Sequence, residues 1–398
     1  MLNKINVPYK NKKSDLRKLV FLMNKQNKRF IPPIDAILES LDVVLSEEEL
    51  GLLLILRTGS YSYEQAADLS GFDSGKFHSI FESLLQKGFI GIKYTESGEE
   101  RYTLHAFIVG FVESVVPFLI GKPEEREFSQ RFMSFYQAIR KYNIFPLRNL
   151  MNMAVKYAPV TNQSVGIVHA TKDSKGKSII DINHTINVSD SKIYPAKTVN
   201  DLILEYGSKS IIGQFPCMCR RMKLNVDEHC RLKMPDDGGC IGFGDAVRHY
   251  IKYGYARQIS KEEAFDIIQK VRDKGAIHSV FHEKDDTNLP QVGICNCCWD
   301  CCGILCSYNT GVSPLRYSCY YIARVADSSK CTGCGKCAKY CPTAAATFLD
   351  KKITIDAKKC IGCGQCVHQC SFSALELIED NRTAFLPMLK KSEARLPA

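Results

Sequence analysis

Cysteine is absent from the first 216 residues of this 398-residue chain; all nineteen cysteines fall between Cys217 and Cys370. Long apolar runs are missing too. The longest, residues 104–120, is interrupted by His105, Glu113 and Pro117 and falls short of the ~20 residues of a spanning helix. Residues 19–23 are too few for the core of a signal peptide. These absences predict a cytoplasmic chain without a membrane span. There is no P-loop, no G-x-G-x-x-G fingerprint and no Ser-His-Asp order, so a nucleotide, flavin or triad-hydrolase site has no local support. Acid is scarce only at the start: residues 1–30 hold nine Lys and Arg against Asp15, which places +8 of the net +10 there.

What is abundant is thiol. In a reducing cytoplasm disulfides are rare, and an odd number confined to one half of the chain points to metal ligation. The basic stretch of residues 1–30 reads as a solvated arm, able to dock an acidic partner or nucleic acid weakly.

Residues 31–120 read as a helical module. Ser46-Glu47-Glu48-Glu49 forms a capping box that opens a helix to about Arg57. A second helix starts at Ser62 and stops at Gly71. A third, capped by Ser74, runs to about Lys87 with Phe77, Ile80, Phe81, Leu84 and Leu85 on one face. Residues 89–94 and 101–104 then make a hairpin. Three helices followed by a hairpin resemble a winged helix-turn-helix. Over residues 46–105, however, five basic residues face ten acidic ones. A net of −5 repels phosphates, so a protein-contact or scaffolding role is expected. Residues 121–205 say less: a helix over 123–142, strands over 165–170 and 178–188, a helix over 198–206, and two ordinary structural histidines, His169 and His184.

The chemistry is carried by two runs. Cys331, Cys334, Cys337 and Cys341 follow the pattern C-x2-C-x2-C-x3-C, with Pro342 next; Cys360, Cys363, Cys366 and Cys370 repeat it at an offset of 29. Gly333/Gly362, Gly335/Gly364 and Ala345/Ala374 repeat as well, which marks an internal duplication. Ser371 stands where the first run has Pro342. Three cysteines at i, i+3 and i+6 on a tight loop can hold three corners of an iron–sulfur cube. Residues 327–378 thus resemble the two-cluster bacterial ferredoxins, in which the fourth cysteine of each run ligates the other cluster. The resemblance implies one [4Fe–4S] cluster on Cys331, Cys334, Cys337 and Cys370, and another on Cys360, Cys363, Cys366 and Cys341.

Upstream lie Cys217, Cys219, Cys230 and Cys240, then Cys295, Cys297, Cys298, Cys301 and Cys302, with Cys306 and Cys319 beyond. Between these tracts, Ser260 and Glu263 cap an amphipathic helix to about Lys274. This order is similar to that of a wider group of ferredoxin-fused, Cys-rich iron–sulfur proteins of anaerobes, which implies no particular reaction. Eleven cysteines remain outside the two runs, enough for one or two further [4Fe–4S] clusters. The expected pairing sets Cys217, Cys219, Cys230 and Cys240 on one and the Cys295–Cys302 tract on the other. Ligand sets shared between the tracts stay open, and so does zinc, which four thiolates suit equally. His278 and His282 are candidate iron ligands whose ordinary reading is packing. Trp299 is expected to wall a cluster from water, and Arg220 and Arg221 to offset thiolate charge.

The expected architecture is therefore α+β and multidomain: a basic arm (1–30), a winged-helix-like module (31–120), a connecting α/β segment (121–205), a Cys-rich central domain (206–326), a two-cluster ferredoxin-like domain (327–378) and a tail (379–398). The resemblance implies single-electron transfer between [4Fe–4S] clusters, to or from a protein redox partner, with no sequence-specific nucleic acid. The rivals are a reductase or reductive activase with a catalytic central cluster, and a cluster-sensing DNA-binding regulator.

Overall fold

The computed structural model describes residues 8–26, 31–95, 97–157, 166–168, 171–172, 178–179, 183–186, 193–197, 203–204, 207–208, 210–235, 238–282 and 292–396. The chain divides into two units, residues 1–138 with 221–228 and residues 139–220 with 229–398.

In the first unit local capping sets the helix starts. Among its described residues, α-helices α1 (Lys13–Gln26), α2 (Asp35–Val44), α3 (Glu47–Leu56), α4 (Tyr63–Ser70), α5 (Ser74–Gln86), α6 (Val112–Leu119) and α7 (Glu124–Arg140) accompany strands β1 (Ser60–Tyr61), β2 (Ile90–Tyr94) and β3 (Glu100–Leu104). Ser46 Oγ accepts from the Glu49 N–H at 3.1 Å while the Glu49 carboxylate accepts from the Ser46 N–H at 2.7 Å, so the capping box opens α3. Ser62 and Gln65 repeat the device at α4, and Gly71 ends that helix in the left-handed region. The cap of α5 is Asp73, not Ser74: its carboxylate accepts from the Lys76 N–H at 2.9 Å. The strands pair in the order β1-β3-β2, with Ile90 opposite Leu104.

The basic arm departs from expectation. Residues 13–26 form α1, and its Leu16, Leu19, Val20 and Met23 are fully buried. Apolar residues at i, i+3, i+4 and i+7 make one helical face, and burying each such side chain stabilises by about 1.5–3 kcal/mol. The lysines lie on the other face, so this segment is a packed helix and not a solvated arm. Phe89 and Phe111, with ring centroids 4.3 Å apart, anchor the remaining core together with Phe107 and Phe128.

The second unit is built on an eight-stranded sheet. Its strands are β4 (Gly166–Val168), β9 (Ile212–Gln214), β10 (Ile241–Phe243), β11 (Arg257–Ile259), β12 (Ile277–His282), β13 (Val292–Cys297), β14 (Leu315–Val325) and β17 (Leu375–Leu386), in the order β11-β9-β10-β13-β12-β4-β14-β17. Among the described residues of this sheet only the β4–β14 pair is parallel. Three short pairs lie outside it: β5 (Thr171–Lys172) with β6 (Ser178–Ile179), β7 (Asn183–Ile186) with β8 (Ile193–Lys197), and β15 (Ala346–Leu349) with β16 (Lys352–Ile355). His184 is in β7; His169 and residues 198–202, 205 and 206 of the expected helix lie outside the described residues.

Ser260 Oγ accepts from the Glu263 N–H at 3.1 Å and starts the helix Lys261–Asp273. That helix buries Ala264, Ile267 and Ile268 against Ile212, Ile241, Phe243 and Ile294 of the sheet. The two cysteine runs lie between β14 and β17, which pair from Leu315↔Leu386 to Val325↔Leu375 with a bulge between Cys319 and Tyr321. The central cysteine tracts and the duplicated runs therefore share one sheet. No described helix is long and apolar enough to cross a membrane.

Candidate metal centres

The duplicated runs fold into crossed sets of thiols. One pocket is lined by Cys331, Cys334 and Cys337 of the first run and Cys370 of the second, with Phe348 and Phe372 beside them. A second is lined by Cys360, Cys363 and Cys366 of the second run and Cys341 of the first. The backbone repeats with the sequence: Ala344 and Ser373, 29 residues apart, are both left-handed, at φ 54° and 53°. Gly362, at φ 68°, has to be glycine on two counts, since a Cβ there would stand 2.2 Å from the Tyr321 carbonyl oxygen.

The two cavities differ in environment. In the first quartet Cys334 is exposed, Cys331 and Cys370 are half-buried and Cys337 is buried; in the second Cys341, Cys360 and Cys366 are buried and Cys363 is half-buried. Amide groups point at the buried sulfurs: Ala345 and Ala346 N–H donate to Cys341 Sγ at 3.1 and 3.4 Å, and Ala323 N–H donates to Cys360 Sγ at 3.4 Å. Burial pushes the Cys337 thiol up to about 11, and burial with neighbouring thiolates pushes Cys363 and Cys366 well above the ordinary thiol value. Crowded thiols resist ionising together unless a cationic core sits among them. Four thiols, amide donors and an apolar cavity fit an iron–sulfur cube in each place.

The central cysteines group differently from the pairing expected from sequence order. Cys230 meets Cys298 and Cys301 across nearly seventy residues of chain, and the three sulfurs and a carboxylate oxygen of Asp300 all lie within 4.8 Å of one another. Cys230 is pushed down to about 2 by the Cys298 and Cys301 thiols that face it, and theirs are pushed up in turn. A first thiolate is stabilised by its neighbours' S–H groups, and that charge then opposes the next ionisation.

The second central group is larger. Cys240 Sγ lies 3.5 Å from Cys295 Sγ, because β10 and β13 pair with Ile241 opposite Ile294, which sets these cysteines side by side. Cys297 faces Cys295 and Cys302, and Cys217 and Cys219 are near enough to act on Cys240 electrostatically. Gly239 makes the approach possible: a Cβ there would stand 1.5 Å from the Phe215 carbonyl oxygen, and the Phe215 N–H donates to the Cys240 carbonyl at 2.9 Å. Contact with Cys240 pushes the Cys295 thiol well above its ordinary value, and contact with Cys297 does the same to Cys302. Cys306 and Cys319 are buried outside these sets.

The neighbours sort by strand alternation. His278 lies opposite Asn296, so its side chain is on the other face of the sheet from Cys295 and Cys297. Its Nδ1 pairs with Asn296 Oδ1 at 2.8 Å, and burial lowers its pKa to about 4. The side chain of His282 lies outside the described residues. Arg220 donates to the carbonyls of Pro235 and Gly238. Burial works against its charge, but Cys217, Cys298, Cys230 and Cys301 outweigh burial and raise its pKa. Arg221 is engaged elsewhere, donating to both carboxylate oxygens of Glu125. Trp299 packs beside Cys298 and Cys301, with the Arg395 guanidinium 4.6 Å from its ring centroid. Sequence reading missed Asp300; its place inside the Cys298-x-x-Cys301 loop is the signal that marks it.

Residues 323–371 match the family model of the 4Fe-4S dicluster domain. No curated protein and no solved structure matches the chain. Residues 323–371 are thus a ferredoxin-type domain, which supports 4Fe-4S cluster binding there.

Proposed function

We propose that this protein transfers single electrons through a row of iron–sulfur centres, to or from a partner oxidoreductase. Two [4Fe–4S] clusters would be held by the crossed quartets Cys331, Cys334, Cys337, Cys370 and Cys341, Cys360, Cys363, Cys366. A third centre would draw on Cys217, Cys219, Cys240, Cys295, Cys297 and Cys302. When bound, such clusters supply one-electron redox chemistry at potentials tuned by hydrogen bonds and burial.

One observation carries the reading. Ile361 of the second quartet's loop belongs to the same buried cluster as Cys297 and Cys302, and Cys363 and Cys295 both pack against it. The buried quartet is therefore contiguous with central thiols, while the first quartet reaches the surface at Cys334 beside the exposed Phe372. The chain's own groups hold thiolates, donate amide N–H bonds to sulfur and exclude water around the inner centre.

The first unit fits a winged-helix-like protein-contact module better than a DNA reader. Lys76, the one Lys or Arg of α5, is paired with Glu48 at 2.6 Å, and Lys87 just beyond is paired with Glu49 at 2.5 Å. Little positive charge remains for a phosphate backbone. Iron and sulfide analysis with EPR of the anaerobically reduced full-length protein tests the proposal. About eight irons from the crossed quartets, about four more from the third centre and spin coupling between neighbours are expected. A protein that takes up no iron on reconstitution would sink it.

A further inference from the structure

The chain contains two size classes of thiol site. In a tetrahedral zinc site, bonds of about 2.3 Å put the thiolate sulfurs roughly 3.8 Å apart. The thiolates on a cubane sit at its outer corners, roughly 6 Å apart. The crossed quartets of the dicluster domain form no group within 4.8 Å among the described residues; the set of Cys230, Cys298, Cys301 and Asp300 does. It is too tight for a cube and matches a single ion.

Asp300 gives independent support. Its side chain is 3% exposed. One carboxylate oxygen accepts the Arg231 N–H at 2.7 Å, while Oδ1 is buried without a hydrogen-bond partner. A buried carboxylate oxygen left so is strongly unfavourable unless a cation meets it. Leu232, Met234, Val271 and Ala276 wall the group with apolar side chains.

We propose that Cys230, Cys298, Cys301 and Asp300 bind one tetrahedral zinc ion, distinct from the iron–sulfur centres. Binding releases the remaining thiol protons to solvent, and three thiolates and one carboxylate fill the four positions. With no position open, the site is structural: it ties the turn that carries Cys230 to the end of β13. The ligated ion carries a net charge of −2, and Arg220, whose Nε is buried without a partner, stands beside it to offset one unit. The site lies outside the electron path proposed above and does not depend on it.

The test uses full-length protein, purified anaerobically and washed with chelator, with zinc and iron counted in the same samples. Wild type is expected to keep about one zinc per chain, with an X-ray absorption signature of three sulfurs at about 2.3 Å and one oxygen at about 2.0–2.2 Å. Cys230→Ser should lose the zinc. Asp300→Asn keeps an acceptor for the Arg231 N–H, so it should fold, retain its iron and bind added Zn²⁺ at least about tenfold more weakly. Chelator-washed wild type without zinc would overturn the proposal, as would a Cys230→Ser protein that loses about four irons per chain. Neither result bears on the crossed quartets, whose EPR signals test the electron-transfer reading separately.

Discussion

Gly362 lies against the carbonyl of Tyr321, so close that a Cβ on it would stand 2.2 Å from the oxygen. Tyr321 belongs to β14 of the shared sheet, and Gly362 sits between two cysteines of the buried quartet. Gly362→Ala combines this backbone clash with a left-handed φ that costs about 1–2 kcal/mol for an L-residue. We expect the variant to lose the cluster of Cys341, Cys360, Cys363 and Cys366, with iron falling by about four per chain. Iron analysis and EPR measure this; full occupancy with unchanged spectra would contradict the close approach.

The crossed lining of the two pockets gives a second prediction. Cys370 belongs by sequence to the second run but lines the cavity of the first. Cys370→Ser should therefore perturb the more exposed cluster, and Cys341→Ser the buried one. Solvent-accessible oxidants report the difference: the surviving cluster of Cys370→Ser should react more slowly with ferricyanide than that of Cys341→Ser. The reverse order would mean that each run keeps its own four cysteines.

Glu49 offers a test free of metal. Its burial opposes ionisation, but hydrogen bonds from Lys87, the Ser46 N–H and Ser83 outweigh that and hold its pKa below the ordinary value. A carboxylate depressed in the folded state contributes stability above its unfolded pKa of about 4.3, and that contribution is lost as pH falls through the lower folded value. Glu49→Gln leaves half-buried Lys87 without its counter-charge and should destabilise the first unit at pH 7 by about 1–3 kcal/mol. Urea titrations should show the gap between variant and wild type closing below about pH 4. A gap independent of pH would assign the loss to shape alone.

The packed helix at the start of the chain predicts a stability effect where a solvated arm predicts none. Leu19→Ala should cost about 2–5 kcal/mol, as for a buried leucine, while Lys18→Gln on the outer face should change stability by less than about 0.5 kcal/mol. Thermal unfolding of the two variants decides between them; equal, negligible shifts would restore the arm.

Sequence alone determined whatever depends on residues a few positions apart. The C-x2-C-x2-C loops, the offset of 29 and the boxes at Ser46 and Ser62 are short-range geometry, legible because spacing restricts a tight turn or a helix start. Even there, Asp73 displaced Ser74 as a cap, since both residues offer an oxygen and the backbone chose between them. The crossed grouping of the cysteines was legible only through the family resemblance. What the tertiary structure decided was closure over long distances. Cys240 meets Cys295 because β10 and β13 register Ile241 on Ile294, and Cys230 meets Cys298 and Cys301 because the same sheet ends near the Cys230 turn. His278 and Cys297 are close in strand pairing yet lie on opposite faces, a distinction set by register, since a one-residue slip would exchange them. The burial of α1 belongs to the same class: its apolar stripe was present among the lysines, but only a partner surface formed by distant residues makes that stripe a core.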